Sequence, residues 1–457
     1  MTQTRQLFGT DGIRGVAGEF PLTRESTYLI GRALAHDLLK SKTEARVVIG
    51  QDTRESSRWI ADQITAGLES QGVEVASAGV ITTPGVAYLA RSQGFDAGVV
   101  ISASHNPWTD NGIKVFSGDG YKLPDAHELS IEKEIFAALQ NSAALAEPNA
   151  GSSSSMPGDA ALRRAYIEWL ASDVATDLRR LRVLVDCANG AAAVEAPELF
   201  RSCGIQATFA HITPDGRNIN EGCGALHPEN VAREVAKAHG KFDLGVTFDG
   251  DADRALFSDA NGKIVNGDGV LLLAARDMKA HGVLAKNTVV ATTMSNMGLE
   301  AALKRSGITM SRANVGDKYV LEEMRRSGAT LGGEQSGHII FRDGDATTGD
   351  GLLTALRVME IMVRTGHPLH ELVGDLKVFP QVIQNIRVRE KVPFAQVPAV
   401  QSAIAAAERE LNGNGRIVVR YSGTEALARV MVEAENEETM RKTAGAIAES
   451  IRTAVGA

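Results

Sequence analysis

Residues 97–107 read AGVVISASHNP, an apolar run from Ala97 to Ile101 that empties into a polar loop with Ser102, Ser104, His105, Asn106 and Pro107. The run does not alternate, as a strand covered on one face would, so it belongs in a sheet covered on both. Upstream, 45–50 (ARVVIG) and 73–78 (VEVASA) read as two further strands. Helical patterns over 54–70 and 84–93 separate the three. Strand, helix, strand, helix, strand predicts a mainly parallel sheet with helices on its faces. In such sheets ligands collect at the carboxyl ends of the strands, which is where Ser104 falls.

The rhythm returns twice without shared sequence. Strands are expected at 182–186, 206–212 and 244–248, with helices at 191–203 and 228–239. A third pass has strands at 288–294, 310–314 and 329–332 and helices at 297–306 and 318–327. Each pass closes on a strand followed by a polar loop: 104–107, 249–254 and 334–338. Three such loops aimed at one cleft would build a composite site. The stretch 141–160, with Ser152 to Ser155, two prolines and two glycines, reads as a linker. The tail differs: strands at 382–389, 416–420 and 428–433 and helices at 394–411 and 437–455 suggest a smaller α+β domain. The expected fold is therefore α/β, with three similar mixed or parallel-sheet domains at 1–155, 156–258 and 259–373 and an α+β domain at 374–457.

The chain has 457 residues, 44% of them apolar, and a formal net charge of -8. That length supports several domains, and the charge argues against a nucleic-acid partner. Cys187, Cys203 and Cys223 form no close pair, which argues against a disulfide framework or a CxxC site. The start lacks an apolar signal core, and no run approaches the roughly 20 apolar residues of a membrane helix. A cytoplasmic protein with no membrane partner is the expectation. Oligomeric state stays open, with a homodimer one arrangement.

Chemistry concentrates in four motifs. The first is Asp249-Gly-Asp251-Ala-Asp253-Arg254. Three carboxylates at alternate positions repel one another and call for a cation, and oxygen ligands suit a hard one. An EF-hand loop is excluded, because its sixth position would be Arg254, where glycine is needed, and its twelfth Ala260, where glutamate is needed. The second is Ser102-Ala-Ser104-His105-Asn106-Pro107, followed by Asp110-Asn-Gly-Ile-Lys114. Ser104 suits a nucleophile or phosphate carrier, whose charge the aspartates' metal would offset; a plain polar turn reads equally well from this segment alone. Lys114 could add positive charge or act on a substrate hydroxyl proton. The third, Gly333-Glu334-Gln335-Ser336-Gly337-His338, is either a loop reading sugar hydroxyls, with His338 in proton transfer, or a capping turn. The fourth, Arg420-Tyr421-Ser422-Gly423-Thr424-Glu425 with Arg429 beyond, is either a phosphate cradle or a β-turn. No GxSxG, Walker or GxGxxG pattern supports esterase, ATPase or dinucleotide chemistry.

In this order, from Phe8 to Glu433, the four motifs resemble the α-D-phosphohexomutase superfamily. The resemblance implies four domains around a central cleft and a phosphoryl group carried on Ser104. It implies one Mg²⁺ held by Asp249, Asp251 and Asp253 together with Ser104. It implies sugar selection by Glu334 and Ser336, and a distal phosphate on Arg420, Ser422, Gly423 and Thr424, near Arg429. Arg14, Lys114, Arg254 and His338 match positions lining the reaction centre. The Phe8-Gly-Thr10-Asp-Gly-Ile-Arg14-Gly start, Ile101-Ser-Ala-Ser104-His-Asn-Pro and Gly333-Glu-Gln335-Ser-Gly-His are most similar to the bacterial branch acting on glucosamine phosphates. Relatives acting on mannose and glucose phosphates, the alternative, usually carry Met where Gln335 stands. Ala426 stands where the superfamily commonly has proline. The implied reaction interconverts glucosamine 6-phosphate and glucosamine 1-phosphate through glucosamine 1,6-bisphosphate. A metal-dependent phosphatase and a binding protein that has lost catalysis are rivals from other classes.

Overall fold

The computed structural model describes residues 6–140, 158–344, 346–422 and 426–457. Two compact units divide the chain: Met1–Met294 with Met310–Val373, and Ser295–Thr309 with Gly374–Ala457. Most of the expected linker, 141–157, lies outside the described residues.

The first sheet of the larger unit takes β1 (Ile13–Val16), β2 (Arg46–Gln51), β3 (Glu74–Val80), β4 (Ala97–Ile101) and β5 (Asp110–Ser117). Between them run α1 (Arg24–Leu39), α2 (Glu55–Glu69) and α3 (Thr83–Ser92), and α4 (Asp125–Gln140) follows. The order is β1-β5-β4-β2-β3, with β2 parallel to β3 and β4, and β5 antiparallel to β4 and β1. Alternate residues serve opposite faces. Val47, Ile49, Val99 and Ile101 pack in one cluster with Ile30 and Leu34 of α1 and Ile60 and Ile64 of α2. Val48 and Val100 pack in another with Val86 and Leu89 of α3. Both faces are covered, hence the unbroken apolar runs. Each fully buried Val or Ile is worth about 1.5–3 kcal/mol.

The second sheet repeats that order. It takes β6 (Arg182–Asp186), β7 (Gln206–Ala210), β8 (Leu244–Phe248), β9 (Ala255–Asp259) and β10 (Ile264–Val265), ordered β10-β9-β8-β6-β7. Helices α5 (Ala160–Ser172), α6 (Ala192–Ser202) and α7 (Pro228–Lys237) accompany it. The third begins after α8 (Gly267–Ala280) and joins β11 (Thr288–Thr292), β12 (Thr309–Ala313), β13 (Leu331–Gly333) and β14 (Ile339–Phe341) in the order β12-β11-β13-β14. Helix α9 (Met297–Arg305) separates β11 from β12 in the chain but belongs to the smaller unit. α10 (Asp317–Ser327), α11 (Gly351–Thr365) and α12 (Leu369–Leu372) complete this part.

The three polar loops occupy equivalent places. Each leaves a strand with a parallel neighbour and feeds its antiparallel return: β4 to β5, β8 to β9, β13 to β14. The return strands and helices α1, α4, α5, α8 and α11 fall outside the passes read from sequence.

The smaller unit carries an antiparallel sheet, β15 (Gln381–Arg387), β17 (Leu427–Ala434) and β16 (Gly415–Tyr421) in that order, with α13 (Pro398–Leu411) and α14 (Glu437–Val455). The helix expected from 394 starts only at Pro398. Residues 394–396 form a 3₁₀ turn and Val397 is extended, because a residue before proline is pushed out of the helical region.

Candidate active site

Ser104 sits at the carboxyl end of β4 with φ 52, a left-handed conformation costly for a residue with a Cβ. Several groups hold it there. Its N–H donates to Ser102 Oγ at 3.0 Å. Its carbonyl accepts from Arg54 Nη2 and from Asn220 Nδ2, both at 2.9 Å. Arg54 is fully buried and pairs with Asp52 at 2.8 Å. Its guanidinium also donates to the carbonyls of Asn106, Pro107 and Asp110. One side chain therefore ties four carbonyls of the loop together, while Asp52 also accepts from Ser102 Oγ at 2.7 Å.

The Ser104 hydroxyl donates to Asp249 Oδ2 at 2.6 Å. Asp249, Asp251 and Asp253 are buried and offer one oxygen each within 4.8 Å of one another. Burial first, then Asp253 and Asp251, push the Asp249 carboxyl well above the usual range. Asp251 Oδ1 and Asp253 Oδ1 are buried with no hydrogen-bond partner. Orphaned carboxylate oxygens turned on one another suit a hard divalent cation, so the donor set fits the metal the sequence implies.

Positive charge surrounds the triad. Lys114 Nζ reaches Asp251 at 2.8 Å, Asp11 at 3.0 Å and Asp253 at 3.5 Å. Burial lowers its pKa, but Asp11, Asp251 and Asp253 outweigh burial and hold it well above the ordinary lysine value. Asp11 also pairs with Arg14 and, at 2.5 Å, with Lys122, which meets Asp317 at 2.6 Å. An alternating chain, Asp251–Lys114–Asp11–Lys122–Asp317, thus joins parts of the first, second and third sheets' regions. Arg254 lies 3.7 Å from Asp253 and 3.9 Å from Asp249.

His338 is buried, with Nδ1 3.7 Å from Asp253 and Nε2 accepting the Gly349 N–H at 3.1 Å. Burial lowers the imidazole pKa, and Asp253, Asp317 and Glu334 raise it by more. The Gly349 N–H points at Nε2, which leaves Nδ1 facing Asp253. A Cβ on residue 349 would lie 2.4 Å from Nε2, which is why glycine stands there.

Glu334 accepts the Gly316 N–H at 3.0 Å. Gln335 Nε2 donates to Asp268 at 3.2 Å, and its carbonyl accepts the Gly267 N–H at 3.0 Å. Gln335 thus anchors its loop to the start of α8. Ser336 is exposed. The Gly337 carbonyl accepts the Ala255 N–H at 3.1 Å, fastening this loop to the aspartate loop. A cavity of about 420 Å³ opens here, lined among others by Asp11, Arg14, His105, Asp253, Arg254, Glu334 and His338. Ser104 and Asp249 are buried and do not line it. Arg14, Lys114, Arg254 and His338 thus gather with Ser104 and the triad.

In the smaller unit Arg420 and Arg429 stand directly opposite each other on β16 and β17. Like charges so placed repel unless an anion lies between them. Ser422 is buried, donates its N–H to Leu427 and accepts Lys391 Nζ at 2.7 Å on its carbonyl. Gly423 and Thr424 lie outside the described residues.

Arg54, Asn220, Asp11, Lys122, Asp317 and Gly349 escaped sequence reasoning as members of the site. Only Asp11 offered a local signal, in the glycine-spaced loop 9–15.

Fold and site together define a phosphohexose mutase, and the comparisons with known proteins agree. The phosphoglucomutase/phosphomannomutase family models match in order: α/β/α domain I at residues 5–142, domain II at 164–262, domain III at 266–379 and the C-terminal domain at 384–450. Phosphoglucosamine mutase of Koribacter versatilis is 64% identical over 453 residues, covering 99% of this chain and 98% of its own. Those of Solibacter usitatus and Deinococcus radiodurans are 52% and 47% identical, each at 99% coverage of both chains. The chain belongs to the phosphoglucomutase/phosphomannomutase family, in its phosphoglucosamine mutase branch. Among solved structures, a family protein of Burkholderia thailandensis shares the fold at TM-score 0.78 and 24% identity, covering 98% of each chain. N-acetylphosphoglucosamine mutase of Aspergillus fumigatus, crystallised with GlcNAc-6P and magnesium, does so at 0.61 and 20%, covering 98% of this chain and 96% of its own. No helix among the described residues is long and apolar enough to cross a membrane.

Proposed function

We infer that this protein interconverts glucosamine 6-phosphate and glucosamine 1-phosphate, with the phosphoryl group carried on Ser104. The observation that carries the reading is the 2.6 Å bond from Ser104 Oγ to Asp249 at the edge of three converging buried carboxylates. The full-length relatives named for the same activity support it.

In the forward direction a sugar hydroxyl attacks the phosphorus on Ser104. The new bond joins sugar oxygen to phosphorus, and the Ser104 Oγ–phosphorus bond breaks. The hydroxyl proton ends on Ser104 Oγ, which becomes a serine hydroxyl again, and His105 Nδ1, 3.3 Å from that oxygen, is placed to hand it over. Glucosamine 1,6-bisphosphate results, turns in the site, and returns its other phosphate to Ser104. The sugar oxygen left behind takes a proton back. Asp249, Asp251 and Asp253 with Ser104 would hold Mg²⁺, which would supply charge neutralisation to the transferring group. Arg14, Arg254 and Lys114 add positive field. Glu334 and Ser336 contact sugar hydroxyls and His338 orients Asp253. Arg420, Ser422, Gly423, Thr424 and Arg429 hold the phosphate that is not in transfer.

The test is a panel of glucosamine, glucose and mannose phosphates with catalytic bisphosphate supplied, run on wild type and Ser104→Ala. Glucosamine phosphate should be preferred and the variant should be inactive yet folded. A large preference for mannose phosphate would overturn the substrate, and wild-type turnover by Ser104→Ala would overturn the phosphoserine.

A further inference from the structure

A second group of metal-ligating side chains lies on the second sheet, away from the aspartate loop. Asp186 ends β6, His211 follows the neighbouring parallel strand β7, and Cys223 lies twelve residues further on, just before a 3₁₀ turn at Gly224–Leu226. A carboxylate oxygen, an imidazole nitrogen and the thiol sulfur lie within 4.8 Å of one another. His211 Nδ1 is 3.0 Å from Asp186 Oδ1. The carboxylate is held still, because Oδ1 accepts the Ala188 N–H at 2.8 Å and Oδ2 the Gly224 N–H at 2.9 Å. Each oxygen keeps a further lone pair. Asp186 and Cys223 are buried, while the His211 side chain is 41% exposed. A cavity of about 390 Å³ lined by Asp186, His211, Asn230 and Lys237 reaches the same place, so an ion has a way in.

We propose that Asp186, His211 and Cys223 bind a divalent transition metal of the zinc class, with solvent as fourth ligand. Sulfur, nitrogen and oxygen together select a borderline-soft ion and not Mg²⁺. Metal–ligand distances near 2.0–2.3 Å would put the donors about 3.5 Å apart, so the Asp186–His211 pair would open slightly from 3.0 Å. Binding would replace the thiol proton, which leaves to solvent.

The placement has a consequence for the reaction centre. His211 and Cys223 bracket the segment that carries Asn220, the residue donating to the Ser104 carbonyl at 2.9 Å. Within the same segment the Gly216 carbonyl accepts the Glu55 N–H at 2.9 Å and Arg217 pairs with Glu55 at 2.7 Å. A metal on Asp186, His211 and Cys223 would clip both ends of this segment to β6.

Full-length protein saturated with Mg²⁺ should be titrated with Co²⁺ and read by sulfur-to-cobalt charge-transfer absorption in the near ultraviolet. Oxygen ligands of the aspartate loop give no such band. The band should saturate at one equivalent, vanish in Cys223→Ser and persist in Cys203→Ser. His211→Asn alters an exposed side chain and should weaken apparent Co²⁺ affinity at least tenfold with an unchanged melting midpoint. A wild-type protein without the band, a band surviving Cys223→Ser, or unaltered affinity in His211→Asn overturns the proposal.

Discussion

Arg54→Lys keeps a positive charge in the same pocket and removes the fork that spans the Ser104 loop. The guanidinium bonds Asp52 and four carbonyls, those of Ser104, Asn106, Pro107 and Asp110. A lysine ammonium is a single donor centre with three protons. It can keep Asp52 and at most two carbonyls, so at least two bonds are lost. At about 1.5–3 kcal/mol for each bond from a charged donor, the loop gives up roughly 3 kcal/mol or more. Ser104 depends on this support, since its left-handed φ of 52 must be imposed from outside. A relaxed loop would move Oγ from Asp249, and a misplacement on the order of 1 Å costs about a hundredfold in rate. The expected outcome is a kcat lowered about 100-fold, equivalent to about 2.7 kcal/mol, with KM for glucosamine phosphate within about threefold of wild type. The assay is steady-state mutase kinetics with saturating bisphosphate, beside thermal melting by circular dichroism. A kcat within threefold of wild type in a folded variant refutes the clamp, as does a loss confined to KM.

Three other outcomes follow from the structure. Asp251→Asn removes one carboxylate of the triad and the 2.8 Å partner of Lys114, and breaking a buried pair costs about 3–5 kcal/mol; kcat/KM should fall at least a hundredfold and a Mg²⁺ titration should shift to higher concentration, and an unshifted titration counts against the metal assignment. Gly349→Ala drives a methyl into the space of His338 Nε2, 2.4 Å away, and should lower kcat more than tenfold in a folded protein; near-normal kcat would mean the imidazole position is immaterial. Glu195 is raised to about 8, chiefly by burial. The folded acid keeps its proton to about pH 8 and the unfolded one only to about 4.3, so stability falls as pH rises through that window, by roughly 3 to 5 kcal/mol. Glu195→Gln should therefore raise the melting midpoint more at pH 9 than at pH 5, and equal shifts at both would show that Glu195 is already ionised in the fold.

The parts of this protein legible from sequence are those whose physics is local. An unbroken apolar run such as Ala97–Ile101 needs cover on both faces wherever it sits, and helices between such runs leave parallel pairing as the way to provide it. Asp249, Asp251 and Asp253 share one turn, so their repulsion and their call for a cation are written in six consecutive residues. Strand returns were harder. β5 is buried over its middle and β9 throughout, but their antiparallel direction depends on which edge of the sheet is free.

Ser104 itself shows where local reading ended. Local pattern placed a serine on a polar loop at the carboxyl end of a buried strand and an acidic loop at the equivalent place in the next repeat. That the two share a site was implied by the family resemblance and by nothing in either loop. Tertiary structure alone decided that Asp249, 145 residues away, would accept the Ser104 hydroxyl, and that Arg54 and Asn220 would hold its carbonyl. It also surrounded Lys114 with Asp11, Asp251 and Asp253. The reason is physical: hydrophobic pattern is set by solvent and is felt residue by residue. A pKa or a hydrogen bond is set by the few groups within about 4–6 Å, and only the folded chain chooses them.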